Sequence, residues 1–444
     1  MAGKIYGLLG RKLGHSWSVP IHTALGCGGY RLIELEPEEL EGFLSQPNIG
    51  GLNVTIPYKR DVMPFCDVID PLAQAIGSVN TLTRRADGKL YAFNTDAAGF
   101  CWMVERAGIS FAGKKAVVLG SGGASLTAVA CAKKLGAREV AVISRSGPDN
   151  YTNLDRHDDA DIVVNTTPVG MYPNTGAAAV DLTAFPRCRG VLDVVYNPRR
   201  TALLLQAEAL GIPCSDGLPM LVAQAKAAEE HFFEKSIPDS ENERILAMLR
   251  QECTNIVLIG MPGCGKSTVG QALAELTGRE AIDIDQRIVE RTGRPIPEIF
   301  AQDGEASFRA LEREETAEAG KLSGKIILTG GGVIKDERNY ASLHQNGRIY
   351  HLIRDLNVLP TDGRPLSQGA DLGAMWRERE PLYTRFRDAV IRNDGTVREA
   401  AQEIWRDFCE NSGTERAQHE HAGHPPAGDL RQGHLSGPVR HASG

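Results

Sequence analysis

The chain has 444 residues, 42% hydrophobic and 24% charged, the make-up of a globular protein with material for roughly two to four packed domains. A formal charge of −7 excludes a nucleic-acid binder held by bulk positive charge, and no apolar run is long enough to span a bilayer. Nine scattered cysteines, with no Cys-x-x-Cys pair, fit free thiols in a reducing cytoplasm, and the short glycine-rich start does not read as a signal peptide.

Residues 1–105 alternate expected strands (5–9, 30–35, 51–57) with expected helices (18–25, 38–44), the pattern of an α/β layer. Polar clusters stand where strands should end: Gly14-His15-Ser16-Trp17-Ser18, Asn53 to Lys59, and Asn94-Thr95-Asp96. Such short hydrogen-bonding arms suit a polyhydroxylated small molecule. His15 and His22 read as structural.

Residues 106–214 open a second α/β unit. An expected strand at 115–119 runs into Gly120-Ser121-Gly122-Gly123-Ala124-Ser125 and a helix at 126–135, with Ser125 where a third glycine would complete a dinucleotide fingerprint. The next strand, 139–143, ends in Ser144-Arg145-Ser146. An acid there would bond a ribose 2′-hydroxyl, whereas an arginine suits a 2′-phosphate, so the cofactor reading leans to NADP(H). Read singly, Arg145 is also compatible with a plain surface cation. Two further strands, 160–165 and 190–196, precede a helix at 221–234.

A polar run from Ser236 to Asn242 marks an expected linker, 236–252, with a short helix at 241–250 capped by Asp239 or Ser240. The strand 256–259 then enters Gly260-Met261-Pro262-Gly263-Cys264-Gly265-Lys266-Ser267-Thr268, followed by a helix at 269–276. Strand, glycine loop and helix are the setting a G-x-x-x-x-G-K-[ST] motif requires. Backbone N–H groups and the helix dipole would cradle nucleotide phosphates, Lys266 would reach the β/γ-phosphates, and Ser267 would ligate the Mg²⁺ that bridges them. In 281–285, read as a strand of period two, Asp283 and Asp285 point from one face into the site. The tail 411–444 is rich in small and polar residues and holds five of the eleven histidines; it is expected to be disordered.

These clusters carry two resemblances. His-Ser-x-Ser, Asn-Val-Thr-Ile-Pro-Tyr-Lys, Ser78-Val79-Asn80-Thr81 and Asn94-Thr95-Asp96 resemble the signature set of shikimate dehydrogenases, and the match runs over residues 1 to about 235. The resemblance implies a two-lobed dehydrogenase with a Rossmann-like NADP lobe, in which the helix at 221–234 returns to the first unit and completes it with residues 215–235. It implies that Ser16, Ser18, Thr55, Asn80 and Asp96 hold the substrate, Tyr196 and Gln224 close over it, and Lys59 with Asp96 is the catalytic pair. Asn165, Thr166 and Thr167 would lie along the cofactor, with Gly217 and Met220 near the nicotinamide. Val19 stands where that family usually has proline, and Phe93 and Ala97-Ala98 flank the Asn-Thr-Asp cluster.

The P-loop, the Asp283/Asp285 pair, Phe308-Arg309, Gly330-Gly331-Gly332, Arg364-Pro365-Leu366 and Arg379-Glu380-Pro381-Leu382-Tyr383 together resemble shikimate kinase over residues 253–410. By that resemblance Asp283 lies near Mg²⁺, Asp285 accepts the proton of the attacking 3-hydroxyl, and Arg309 and Arg379 pair with the substrate carboxylate. Gly331 and Gly332 approach the ring, and Arg364 belongs to a lid. The expected function is a bifunctional cytoplasmic enzyme acting on small molecules (3-dehydroshikimate, shikimate, ATP), with no nucleic-acid or membrane partner and no signal of oligomeric state. Two alternatives stay open: one half serving only as a binding or scaffold module, and a quinate dehydrogenase using NAD fused to the kinase.

Overall fold

The computed structural model describes residues 3–14, 16–359 and 371–411. Arg364, assigned to the expected lid, lies with the rest of 360–370, His15 and the tail from 412 onward outside the described residues.

Three sheets follow one another along the chain. In the first, β1 (Ile5–Gly10), β2 (Arg31–Glu34), β3 (Ile49–Val54), β4 (Val68–Ile69), β5 (Thr81–Arg84) and β6 (Leu90–Phe93) lie in the order β2-β1-β3-β5-β6-β4. Helices α1 (Ser18–Ala24), α2 (Leu40–Leu44), α3 (Pro71–Ile76) and α4 (Asp96–Arg106) accompany it. All six residues of β3 are buried, as befits a central strand covered on both faces.

The second sheet is wholly parallel, in the order β11-β10-β9-β7-β8. Its strands are β7 (Lys115–Leu119), β8 (Glu139–Ile143), β9 (Ile162–Asn165), β10 (Gly190–Asp193) and β11 (Cys214–Ser215), with α5 (Gly123–Lys134) and α6 (Ala202–Ala209) as crossovers. The chain order reverses between β7 and β9, which opens a crevice at the carboxyl ends of those two strands. The helix α7 (Leu218–Phe233) then returns to pack along α4. Gly99 makes that approach possible: a Cβ there would lie 2.4 Å from the Met220 carbonyl and 3.0 Å from Gln224 Cβ.

The third sheet, also parallel, runs β13-β14-β12-β15-β16. It comprises β12 (Asn255–Ile259), β13 (Ala281–Asp283), β14 (Ile326–Leu328), β15 (Gly347–Ile353) and β16 (Ala389–Arg392). Around it lie α9 (Lys266–Thr277), α10 (Ile284–Thr292), α11 (Ile296–Gly320), α12 (Arg338–His344), α13 (Leu372–Phe386) and α14 (Val397–Asn411), counting α8 (Ser240–Cys253) as the helix before them. Gly304, at φ 80° and ψ 170°, divides α11.

One expectation is extended and one corrected here. The helix expected at 241–250 forms as α8, and it buries Ile245, Leu246 and Leu249 in one apolar cluster with Ile21, Leu25, Leu218, Val222 and Ala225. Its polar residues are simply the outer face of an amphipathic helix. The strand read over 281–285 stops at Asp283, whose carboxylate accepts the N–H groups of Asp285 (2.9 Å) and Gln286 (3.2 Å) and so caps α10. Asp285 therefore points from the first turn of a helix, not from a strand face. Among the described residues no helix is long and apolar enough to cross a membrane, and all nine cysteines are free thiols.

Candidate functional site

Lys59 follows β3 and Asp96 opens α4; their Nζ and Oδ2 atoms are 2.5 Å apart, with the side chains 21% and 12% exposed. The pair is thus screened but reachable. Asn80 Nδ2 donates to Gln224 Oε1 (3.3 Å), while Asn80 Oδ1 accepts the N–H of Thr95 (2.7 Å), fixing the turn into α4. Ser16 and Ser18 bond each other across 3.1 Å at the start of α1. Thr55 leaves β3 with its N–H on the Leu9 carbonyl (2.9 Å). Asn80 and Gln224 are thus tied to the turn that opens α4 with Asp96. Tyr196, half-buried, lines a small cavity that it shares with Trp17, Leu218, Arg250 and Asn346.

The Gly120-to-Ala124 loop leaves β7 at the crevice. Gly120 has φ +107°, and a Cβ on it would lie 2.8 Å from Thr166 Oγ1. Gly122, extended, caps α5, and Ser121 stands exposed beside it. A Cβ on Gly123 would sit 3.8 Å from Lys59 Cδ, so this loop meets the Lys59–Asp96 pair directly. Across the loop Asn165 Oδ1 accepts from Thr167 Oγ1 (2.7 Å), and Asn165 Nδ2 donates to Asp193 Oδ1 (2.9 Å). Burial pushes the Asp193 carboxyl up to about 7 against these bonds. Ser125, at the third glycine position, is buried inside α5 and does not face the crevice. Ser144, Arg145 and Ser146 follow β8; Arg145 is exposed and has no carboxylate partner among the described residues. Gly217 caps α7 and Met220 lies in its first turn. Open glycine cradle, switch point and unpaired arginine fit a dinucleotide bearing a 2′-phosphate.

In the third sheet the P-loop joins β12 to α9. Gly260, Gly263 and Gly265 take φ of +149°, +86° and +98°, a curl that turns successive N–H groups inward. Lys266 Nζ lies over the loop on the carbonyls of Gly260 (2.8 Å) and Met261 (3.1 Å). Ser267 Oγ approaches Asp283 Oδ2 at 3.4 Å, Thr268 Oγ1 donates to the Gly265 carbonyl, and Cys264 is buried beneath the loop. The cradle fits a nucleoside triphosphate, and the Ser267/Asp283 oxygens fit its hard cation.

Beside it, Asp285 Oδ1 is buried and unpartnered. Burial and the neighbouring Asp283 charge push its carboxyl up to about 6, with Lys266 and Arg309 pulling the other way. Arg309 bonds Glu312 (2.6 Å) and presses on Gly332, where a Cβ would lie 2.4 Å from its Nη2. Arg379, 3% exposed, donates from Nη1 to the Gly331 carbonyl (3.1 Å), which also accepts the Tyr383 hydroxyl (2.7 Å). Two guanidinium groups and a buried carboxylate thus face the glycines.

Several side chains here went unassigned in the sequence. Glu312 Oε1 is a second buried, unpartnered oxygen beside Gly330, and burial raises its carboxyl too. Tyr383 stands four residues after Arg379, one helical turn on, a spacing that could have linked them. Asn393, just after β16, donates from Nδ2 to the Cys264 carbonyl (2.8 Å), and Trp376, Arg354 and Arg392 line an open cleft of about 640 Å³ at the ends of β15 and β16.

A lysine–carboxylate pair against a dinucleotide loop, followed by a P-loop facing paired arginines, defines a small-molecule dehydrogenase joined to a small-molecule kinase. The family model for the shikimate dehydrogenase substrate binding domain matches residues 8–82, and that for shikimate kinase matches residues 262–409. The chain is similar to the shikimate dehydrogenase (NADP(+)) of Clostridium perfringens (strain SM101 / Type A), with 36% identity over 268 residues covering 56% of this chain and 98% of that protein. Among solved structures it is similar to a chorismate mutase/shikimate 5-dehydrogenase fusion protein from Clostridium acetobutylicum (TM-score 0.54, 35% identity, 56% of this chain and 98% of that one). It is likewise similar to shikimate dehydrogenase 1 from Peptoclostridium difficile (TM-score 0.51, 36% identity, the same coverage). The chain belongs to the shikimate dehydrogenase family, and it carries a shikimate kinase domain behind that half.

Proposed function

We propose that the first half reduces 3-dehydroshikimate to shikimate with NADPH and the second phosphorylates shikimate with ATP. The observation that carries this reading is the Lys59–Asp96 pair, 2.5 Å apart, seated against Gly123 at the start of α5. Hydride delivery to a ketone leaves a developing alkoxide, and a proton donor must stand beside it. NADPH supplies the hydride. Lys59 gives the proton, and Asp96, 2.5 Å away, holds Lys59 in place. Ser16, Ser18, Thr55, Asn80 and Gln224 hold the ring hydroxyls and carboxylate, and Tyr196 bounds the pocket.

In the kinase half Arg309 and Arg379 take the carboxylate of the acceptor, as planar guanidinium forks do. Asp285 receives the proton of the attacking hydroxyl, and Lys266 offsets charge on the transferring phosphoryl group. Mg²⁺ would sit between Ser267 and Asp283 and neutralise phosphate oxygens. One half makes what the other consumes, which suits a biosynthetic enzyme of the cytoplasm.

The deciding experiment supplies 3-dehydroshikimate, NADPH, ATP and Mg²⁺ to the purified chain. Successive appearance of shikimate and shikimate 3-phosphate is expected; the lack of either product would reduce its half to a binding module. Cofactor choice has its own test. Arg145→Ala is expected to raise the KM for NADPH by about tenfold, the weight of one charge-assisted pair, and to leave the NADH rate unchanged. Equal turnover with both cofactors in the unaltered chain, or better turnover of quinate with NAD, would favour the quinate reading.

A further inference from the structure

We propose that the kinase half positions the dehydrogenase site, holding Asp216 and the 196–200 turn from two sides. Two separate connections reach that point. The first is direct docking. The N–H of Arg199 donates to Asn346 Oδ1 (2.9 Å), and the N–H of Arg200 donates to the Gln345 carbonyl (2.8 Å). Arg200 Nη1 adds a bond to the His344 carbonyl (3.2 Å), while its Nε stays on Glu208 (2.9 Å) of its own lobe. Asn346 is itself anchored in the kinase sheet, because its carbonyl accepts the N–H of Asn255 at the start of β12 (2.8 Å).

The second connection is α8. Its apolar face belongs to the dehydrogenase half, but its end is held by the kinase: Cys253 gives its carbonyl to the N–H of Gly324 (2.9 Å) and Thr254 gives its own to Arg279 (2.7 Å). Arg250 on this helix, fully buried, lies 3.6 Å from Asp216 Oδ2; Arg199 Nε approaches the same oxygen at 4.0 Å. The other oxygen of Asp216 accepts the N–H of Leu218 (2.7 Å), the first residue of α7, the helix of Met220 and Gln224. A buried carboxylate stays in place only while its cations do. Tyr196 and Trp17 complete the link, since the small cavity they line is closed on the kinase side by Ser323 and Asn346.

All these contacts lie at the amino ends of β12 and β15. The P-loop leaves the opposite end of β12, five residues and about 17 Å away. The effect therefore runs toward the dehydrogenase, and the kinase site is left out of it.

This inference rests on the function proposed above. Its test compares Asn346→Ala and Arg200→Ala in the full chain, with both activities read on each preparation. The KM for 3-dehydroshikimate is expected to rise about fivefold with dehydrogenase kcat within about twofold, because binding arms are displaced and the proton donor is not. Kinase kcat and KM stay at their original values and serve as the folding control. Dehydrogenase constants unchanged in both variants overturn the inference. Should Asn346→Ala also lose kinase turnover, Arg200→Ala decides alone, since it leaves the kinase sequence intact. If the unaltered chain does not turn over 3-dehydroshikimate, the functional reading fails instead. The positioning effect is then read on NADPH binding by fluorescence quenching, where a similar weakening supports it and identical affinities overturn it.

Discussion

An Asp285→Asn chain is expected to lose about three orders of magnitude in kinase turnover while its dehydrogenase rate stays unchanged. The amide keeps the shape and the place in α10 but cannot take a proton. Asp285 is suited to that task because burial, helped by the charge of Asp283, lifts its carboxyl to about 6. Lys266 and Arg309 hold it from rising further, so near neutral pH it is ionised yet basic enough to accept a hydroxyl proton. The sign of the pH dependence follows. The working form is the carboxylate, so kinase kcat/KM should be level above that value and fall about tenfold per pH unit below it. ADP release measured from pH 5 to 9 checks both statements. A profile flat through 6, or a variant retaining more than a tenth of the rate, would move the proton to another group. Glu312, with its own unpartnered oxygen beside Gly330, is the neighbour that would take it.

The second large effect belongs to Lys59. Lys59→Met retains the stem that packs toward Gly123 but removes the ammonium 2.5 Å from Asp96. Reduction of 3-dehydroshikimate should fall by about a thousandfold in kcat, with a much smaller change in KM, since Ser16, Ser18, Thr55 and Asn80, the proposed substrate-binding side chains, remain. The kinase rate of the same preparation should not move. Steady-state NADPH oxidation, run beside ADP release, reads the split. A loss expressed mainly in KM would recast Lys59 as a substrate-binding arm, and loss of both rates with the fold intact would contradict two independent sites.

Much of this was legible from residue order, and the reason differs from one feature to the next. The P-loop could be read because its requirements are local: glycines at three turns of positive φ, then Lys266 and Ser267 at the mouth of a helix. The Lys59 and Asp96 motifs were readable as types, but nothing in their separation of 37 residues states a 2.5 Å contact. The Asp283/Asp285 geometry was misread because strand arithmetic assumes the strand continues. Asp283 is itself a good helix cap and ends it. In residues 236–252 the helix was legible but its partner was not: a polar sequence marks the outer face of α8 as readily as a free linker, and only the packing against Ile21 and Val222 tells them apart. Glu312 and Tyr383 had no role readable from the sequence, because an unpartnered oxygen or a shared carbonyl exists only once α11 and α13 converge on the glycines.

The sequence by itself therefore determined the two nucleotide loops, their order and the chemical types around them, since each is written within a few consecutive residues whose backbone and donors act together. Only the tertiary structure decided that Lys59 meets Asp96, that Arg309 and Arg379 close on Gly331-Gly332, and that Arg199 rests on Asn346 from 147 positions away. Those pairings depend on which helix covers which sheet edge, a choice made by the burial of many distant apolar side chains at once.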